Sequence, residues 1–170
     1  MKRWYVIISA VVLLVAAGIV VWRIAAGESD EDVIRRRLHE VTELLGKKGN
    51  EGFLVQMEHA KDVSRYFDEI CDVRLPKFHK DAKMSRENII QNVLLIRKFT
   101  NSLDLGVYDL EFYFQDGEPL HCKVLFTGMI NANLKTGERF REGYDLEIVW
   151  LKKNNEWLIE KVGFSGILEK

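Results

Sequence analysis

Apolar residues recur along this chain with two different periods, and the period changes once. From Ser29 it is helical: Ile34, Leu38, Val41 and Leu45 fall at i, i+4, i+7 and i+11, one face of a helix. Ser29 and Asp32 have capping-box spacing, and Asp30, Glu31 and Asp32 suit the positive end of the helix dipole. Gly46 and Gly49 end this helix, with Lys47 and Lys48 at its last turn. A second helical stretch is predicted from about Asn50 to Cys71, a break near His59 being left open; it places Val63, Phe67 and Ile70 on one side. Leu75-Pro76 stops it. Ser85 caps a third helix to about Asn101, in which Ile89, Ile90, Val93, Leu94, Ile96 and Phe99 are apolar nearly all round. That helix is expected to be the most buried of the three.

After Asp104 the period becomes two. Strand one covers about Gly106 to Gln115, with Tyr108, Leu110, Phe112 and Phe114 on one face, and Asp116-Gly117 signals a hairpin. Strand two runs from about Pro119 to Asn131, and Lys135-Thr136-Gly137 turns the chain. Strand three, about Arg139 to Lys152, alternates Tyr144, Leu146, Ile148 and Trp150 against Asp145, Glu147, Val149 and Leu151. Asn154-Asn155 makes the last turn before a strand carrying Trp157, Ile159, Val162 and Phe164. Helices first and a meander second predict an α+β domain, about three helices packed on one face of a curved four-stranded antiparallel sheet.

Ahead of this domain, residues 4–22 carry no charge. As a helix they would reach about 28 Å, close to the ~30 Å hydrocarbon thickness of a bilayer. Trp4, Tyr5 and Trp22 stand at its ends, where aromatic rings favour the interface. The chain therefore divides into residues 1–28, an N-terminal transmembrane signal anchor with a short linker, and residues 29–170, the α+β domain. A cleaved signal peptide is the rival reading. Its apolar run would be shorter, and its cleavage site would fall near Ala25-Ala26-Gly27, just past Trp22 and Arg23. No cysteine follows the run, which excludes a lipoprotein signal. Lys2 and Arg3 favour a cytoplasmic N-terminus, and hence an extracytoplasmic (in a bacterium, periplasmic) domain on a single-pass inner or plasma membrane protein.

Composition narrows the chemistry. At 170 residues the chain is of one-domain size, and its net charge is −1. Such a balance, with charge scattered, leaves no footprint for nucleic acid. Arg35, Arg36 and Arg37 fan over a helix surface, as a solvated face or a contact to anionic lipid. Cys71 and Cys122 form no metal motif, and His39, His59, His79 and His121 are dispersed, so no metal is implied. The two cysteines suit buried reduced thiols; paired in an oxidising compartment, they would close a loop worth about 4 kcal/mol. There is no glycine-rich phosphate loop and no nucleophile elbow, and no cofactor is implied.

The order of elements and the final hairpin, Leu146-Glu147-Ile148-Val149-Trp150-Leu151, then Lys152-Lys153-Asn154-Asn155-Glu156, then Trp157-Leu158-Ile159, resemble the NTF2-like superfamily. This is the cone-shaped fold shared with SnoaL-like and ketosteroid-isomerase-like proteins. The resemblance covers about residues 30–168 and carries no diagnostic motif. Its enzymes pair an acid or base with a hydrogen-bond donor inside an apolar cone. Here the inward faces of strands one and three, Leu110, Phe112, Phe114, Tyr144, Leu146, Ile148 and Trp150, offer one hydroxyl and no carboxylate.

Three functions compete. A membrane-held binding or assembly module, with a protein partner, fits the anchor and the missing catalytic set. A pocket for a small apolar ligand would be lined by some of Tyr66, Phe112, Tyr144 and Trp150. An isomerase- or dehydratase-like enzyme would use His121 or His79 with an acid from Asp109 or Asp145. The resemblance also implies homodimerisation through the outer sheet face, where Val149, Leu151 and Met129 could supply apolar contacts.

Overall fold

The computed structural model describes residues 27–78, 80–117 and 119–165. The chain divides after Val33. Residues 27–33, the described part of the first unit, contain the cap and opening turn of helix α1 (Asp30–Leu45), where the Asp32 amide donates to Ser29 Oγ at 3.2 Å. The second unit begins at Ile34 and holds the rest. Residues 4–22 and His79 lie outside the described set. Among the described residues no helix is long and apolar enough to cross a membrane.

Within the second unit α1 buries Ile34, Leu38 and Val41, the face its sequence predicts. Helix α2 (Phe53–Ser64) follows, then strand β1 (Phe67–Leu75), a 3-10 turn at Pro76–Phe78 and strand β2 (Lys80–Ser85). Helix α3 (Arg86–Phe99) opens on a full capping box: Ser85 Oγ accepts the Asn88 amide, and Asn88 Oδ1 accepts the Ser85 amide. Four long strands complete the chain: β3 (Thr100–Gln115), β4 (His121–Leu134), β5 (Arg139–Lys153) and β6 (Glu156–Phe164).

The sheet has six strands in the order β2-β1-β6-β5-β4-β3, not the four expected. The second helix stops at Ser64, and Phe67 to Leu75 is strand. The helical spacing of Val63, Phe67 and Ile70 misled, because Ile70 is exposed while Phe67, Cys71 and Val73 are buried. What makes β1 a strand is distant in sequence: β2 pairs with it antiparallel, and β6 pairs with it parallel on the other side. The sheet is therefore mixed rather than purely antiparallel.

Register places apolar residues in rows across one face. Phe112, Val124, Ile148, Val162 and Val73 oppose one another in turn across β3, β4, β5, β6 and β1. A second row runs Phe114, Cys122, Trp150, Ile159, Phe67. Val124, Cys122 and Trp150 have no exposed surface at all. On the opposite face Leu151 and Leu158 face each other and are also buried. The β5–β6 turn puts both Asn154 (φ 52°) and Asn155 (φ 66°) in the left-handed region, the conformation that matches strand twist.

Helix α3 is not the all-round buried helix expected. Only Ile89, Val93 and Arg97 are buried, while Leu95, Ile96 and Phe99 stand about half exposed. The reason lies in Arg97, whose hydrogen bonds turn a polar position inward and the apolar positions beside it outward.

Candidate functional site

Two polar centres lie among the helices, one closed and one open. The closed centre is built on Arg97, whose side chain is wholly buried. Its Nη1 donates to the carbonyls of Leu44 (2.8 Å), Leu45 (3.2 Å) and Gly46 (3.0 Å), the unsatisfied acceptors at the end of α1. Its Nη2 meets Glu51 Oε2 at 2.8 Å and His59 Nδ1 at 2.7 Å. A guanidinium only donates, so His59 Nδ1 is the acceptor and the neutral ring carries its proton on Nε2. Lys47 Nζ donates to the carbonyls of Arg97 (2.7 Å) and Thr100 (2.6 Å) at the end of α3. Burial, with the nearby charges of Lys135 and Arg97, lowers the Lys47 pKa, and Glu51 partly offsets this. This centre fastens helix ends together.

The open centre is a cleft of about 550 Å³ lined by Arg37, Glu40 and Leu44 of α1, Asp62 of α2, Arg65 and Tyr66 beyond it, Arg86 at the start of α3 and Glu156 at the start of β6. Tyr66 Oη donates to Glu40 Oε2 at 2.9 Å, and Arg36 Nη1 donates to the other oxygen at 3.0 Å. The Arg37 guanidinium lies 5.1 Å from the Tyr66 ring centroid, a cation–π contact. Arg65 pairs with Asp62 at 3.0 Å, and Arg86 Nε donates to the Phe67 carbonyl at 2.9 Å. Partial burial would raise the Glu40 pKa, but hydrogen bonds from Tyr66 and Arg36 and the charges of Arg36 and Arg37 bring it below the usual value. Burial and the Glu40 carboxylate push Tyr66 up. At neutral pH the pair is a neutral phenol donating to an ionised carboxylate. A cleft so charged suits ionic or zwitterionic groups, not an apolar molecule.

The four residues read as a ligand lining do not converge. Tyr66 is in the cleft, and its carbonyl accepts the Ile159 amide beside the Trp150 row. Phe112 lies under the Arg35 guanidinium, 4.9 Å from the ring centroid. Trp150 is fully buried, and its indole N–H has no hydrogen-bond partner among the described residues. Tyr144 sits six residues before Trp150 on β5, about 20 Å away at strand rise. It is covered by Phe164 (5.5 Å between centroids) and Lys77, and bonded to Glu142. The acid–base candidates separate similarly. His121 opposes Leu151 and bridges to Glu160 at 3.3 Å, whereas Asp145 opposes Thr127 and accepts its hydroxyl at 3.2 Å. Six residues of β4 divide His121 from Thr127, again about 20 Å. Asp109 lies at the β3 bulge near Tyr108, which opposes Thr127, and is as far from His121. Of the outer-face trio, Val149 and Met129 are half-buried, while Leu151 is covered within the chain.

No disulfide joins Cys71 and Cys122; both are buried. Among the described residues no group of three histidine, cysteine or acidic side chains is placed to hold a metal ion. Sequence reading missed Arg97, Lys47 and Glu40. The one available signal was a charged residue, Arg97, set on the apolar face of Ile89 and Val93.

No family model and no curated protein matches this sequence. Solved structures do. A candidate scytalone dehydratase from Novosphingobium aromaticivorans superposes with a TM-score of 0.61 at 14% identity, covering 82% of this chain and 85% of that one. A candidate calcium/calmodulin dependent protein kinase II association domain from Xanthomonas campestris gives 0.60 at 12% identity, over 84% and 91%. An uncharacterized protein with a cystatin-like fold from Caulobacter vibrioides gives 0.58 at 8% identity, over 82% and 90%. Among the described residues, three helices and a curved, unclosed mixed sheet make an α+β fold. The fold is that of the NTF2-like superfamily.

Proposed function

We propose that this chain is a membrane-tethered NTF2-like binding or assembly module rather than an enzyme. The observation that carries this reading is the filled cone. Trp150, Val124, Cys71, Cys122 and Ile159, all at 0–1% exposure, make a closely packed apolar interior with no carboxylate or imidazole among them, whereas the resemblance implies that an enzyme would hold an acid or base there. Two further facts support it. The hydrogen-bonded phenol and carboxylate, Tyr66 and Glu40, are shifted away from neutrality in opposite directions, which suits neither to proton transfer near pH 7. His121 is about 20 Å from either acid proposed to assist it. The uncharged run at residues 4–22 supports a tether, and Lys2 and Arg3 favour an extracytoplasmic domain.

A second reading is favoured by the Tyr66 cleft. Its three guanidiniums and three carboxylates would seat a small ionic ligand, in place of the apolar one that an open cone would take.

The test uses the full chain. It is expected to stay with membranes through an alkaline carbonate wash, and native mass spectrometry from nanodiscs should give the polypeptide mass without a retained apolar molecule. Release by carbonate with Met1 intact overturns the tether. An apolar molecule retained one-to-one overturns the filled cone and makes the protein a carrier.

A further inference from the structure

The two edges of the sheet are built differently. Edge β2 is six residues long and carries Asp81 and Lys83, the short, charged form that resists adding another strand. Edge β3 is sixteen residues long, contains no lysine or arginine, and exposes Tyr108 (56%), Tyr113 (46%) and Phe114 (44%). It bonds to β4 on one side. On its other side, among the described residues, it is bridged only at Leu103. There the Lys47 amide donates to the Leu103 carbonyl at 2.7 Å and the Leu103 amide to the Lys47 carbonyl at 3.0 Å. The fold itself thus uses this edge as an antiparallel acceptor, for a single residue. Alternation along the strand turns the N–H and C=O groups of Leu105 and Val107 to the same side as those of Leu103.

Charge decides what fits there. Asp104, Asp109 and Glu111 are all exposed, and nothing on β3 offsets them. A second copy paired edge to edge would bring carboxylates against carboxylates, which is unfavourable across a ladder. An extended segment with lysine or arginine at alternate positions would oppose them with cations.

We propose that the β3 edge from Leu105 to Gln115 docks an extended, basic segment of a partner protein as a seventh strand. Backbone hydrogen bonds supply the general affinity, while the three acids and the exposed aromatics select the sequence. This rests on the assembly-module reading and names the surface through which assembly occurs.

The experiment uses the full chain in nanodiscs and two synthetic decapeptides, one alternating lysine with valine and one alternating glutamate with valine. The lysine peptide is expected to bind, to protect the Leu105 and Val107 amides from hydrogen exchange, and to lose at least tenfold in affinity to Val107→Pro. Because proline in β3 can unfold the sheet, Asp104→Lys with Glu111→Lys is the second variant. It keeps the backbone and should reverse the preference toward the glutamate peptide. Binding without protection of β3, or with no response to the charge reversal, overturns the proposal. So does protection of β3 by self-association without peptide, which would make a second copy the occupant. Failure to bind while the protein still resists carbonate extraction sinks the edge alone and leaves the tether standing.

Discussion

Arg97 and Lys47 cap each other's helices: the guanidinium of Arg97 takes the last carbonyls of α1, and the ammonium of Lys47, just past α1, takes the Arg97 and Thr100 carbonyls where α3 ends. Each cation thus lies at the negative end of the other's helix dipole. The exchange couples α1 and α3 through two buried charges, with Glu51 bonded to Arg97 as an anion.

Removing Arg97 takes the donor from partly buried carbonyls and from the Glu51 carboxylate. Arg97→Met is expected to lower stability by about 3–5 kcal/mol, measured by urea unfolding. Arg97→Lys should recover little of it, because a point charge cannot reach three carbonyls and Glu51 together. A double-mutant cycle with Lys47→Met should give less than the sum of the single losses.

Trp150 tests the filled cone. Trp150→Ala should cost about 3–5 kcal/mol through the cavity it leaves. Trp150→Phe should cost clearly less, because the indole N–H it removes is buried without a partner. If the cone were an open pocket instead, the alanine variant would unfold near the wild-type midpoint.

Cys71 sets an alkaline limit. Burial, reinforced by the negative charges of Asp72, Glu160 and Asp68, pushes its thiol from 9.0 up to about 12. The raised value means the unfolded chain loses this proton first, so the stability it contributes is full below pH 9 and falls as pH rises toward 12. The slope is about 1.4 kcal/mol per pH unit for one group. Cys71→Ala should flatten that limb, and at pH 8 native Cys71 should resist a thiol reagent that labels it in denaturant.

Glu40 acts at the acid end with the opposite sign. Its lowered pKa adds stability above about pH 4.5, and this is lost as pH falls through the folded value. The side chain is 37% exposed, so solvent screening holds the effect under about 1 kcal/mol. Glu40→Gln should weaken the acid dependence below pH 4.5 and lower the neutral stability slightly, by no more than about 1 kcal/mol. A steeper acid limb in the variant would contradict the assigned role.

Elements that carry their own local signals were legible in the sequence. The caps at Ser29 and Ser85, the face of Ile34, Leu38 and Val41, and the turns at Gly137 and Asn154-Asn155 all appear where patterning puts them. β1 and β2 were not legible, because Cys71 and Val73 alternate too briefly to outweigh a helical spacing, and the strand that fixes them is β6. Nor was the closed polar centre. Arg97 reads as a solvent-facing charge unless Leu44 to Gly46 are known to lie against it, a juxtaposition of residues some fifty positions apart. The Tyr66 cleft has the same character, since its lining comes from α1, α2, α3 and β6.

The mixed pairing also bears on how the chain reaches its native state. β6, the last strand among the described residues, lies inside the sheet between β1 and β5. Until residues 156–164 emerge, no strand joins the β1–β2 hairpin to the β3–β5 meander, and helix α3, which packs on β1, β2 and β3, is what links them. A chain ending before Glu156 should yield two fragments of sheet instead of a shortened domain, and its exposed edges should make it prone to aggregate.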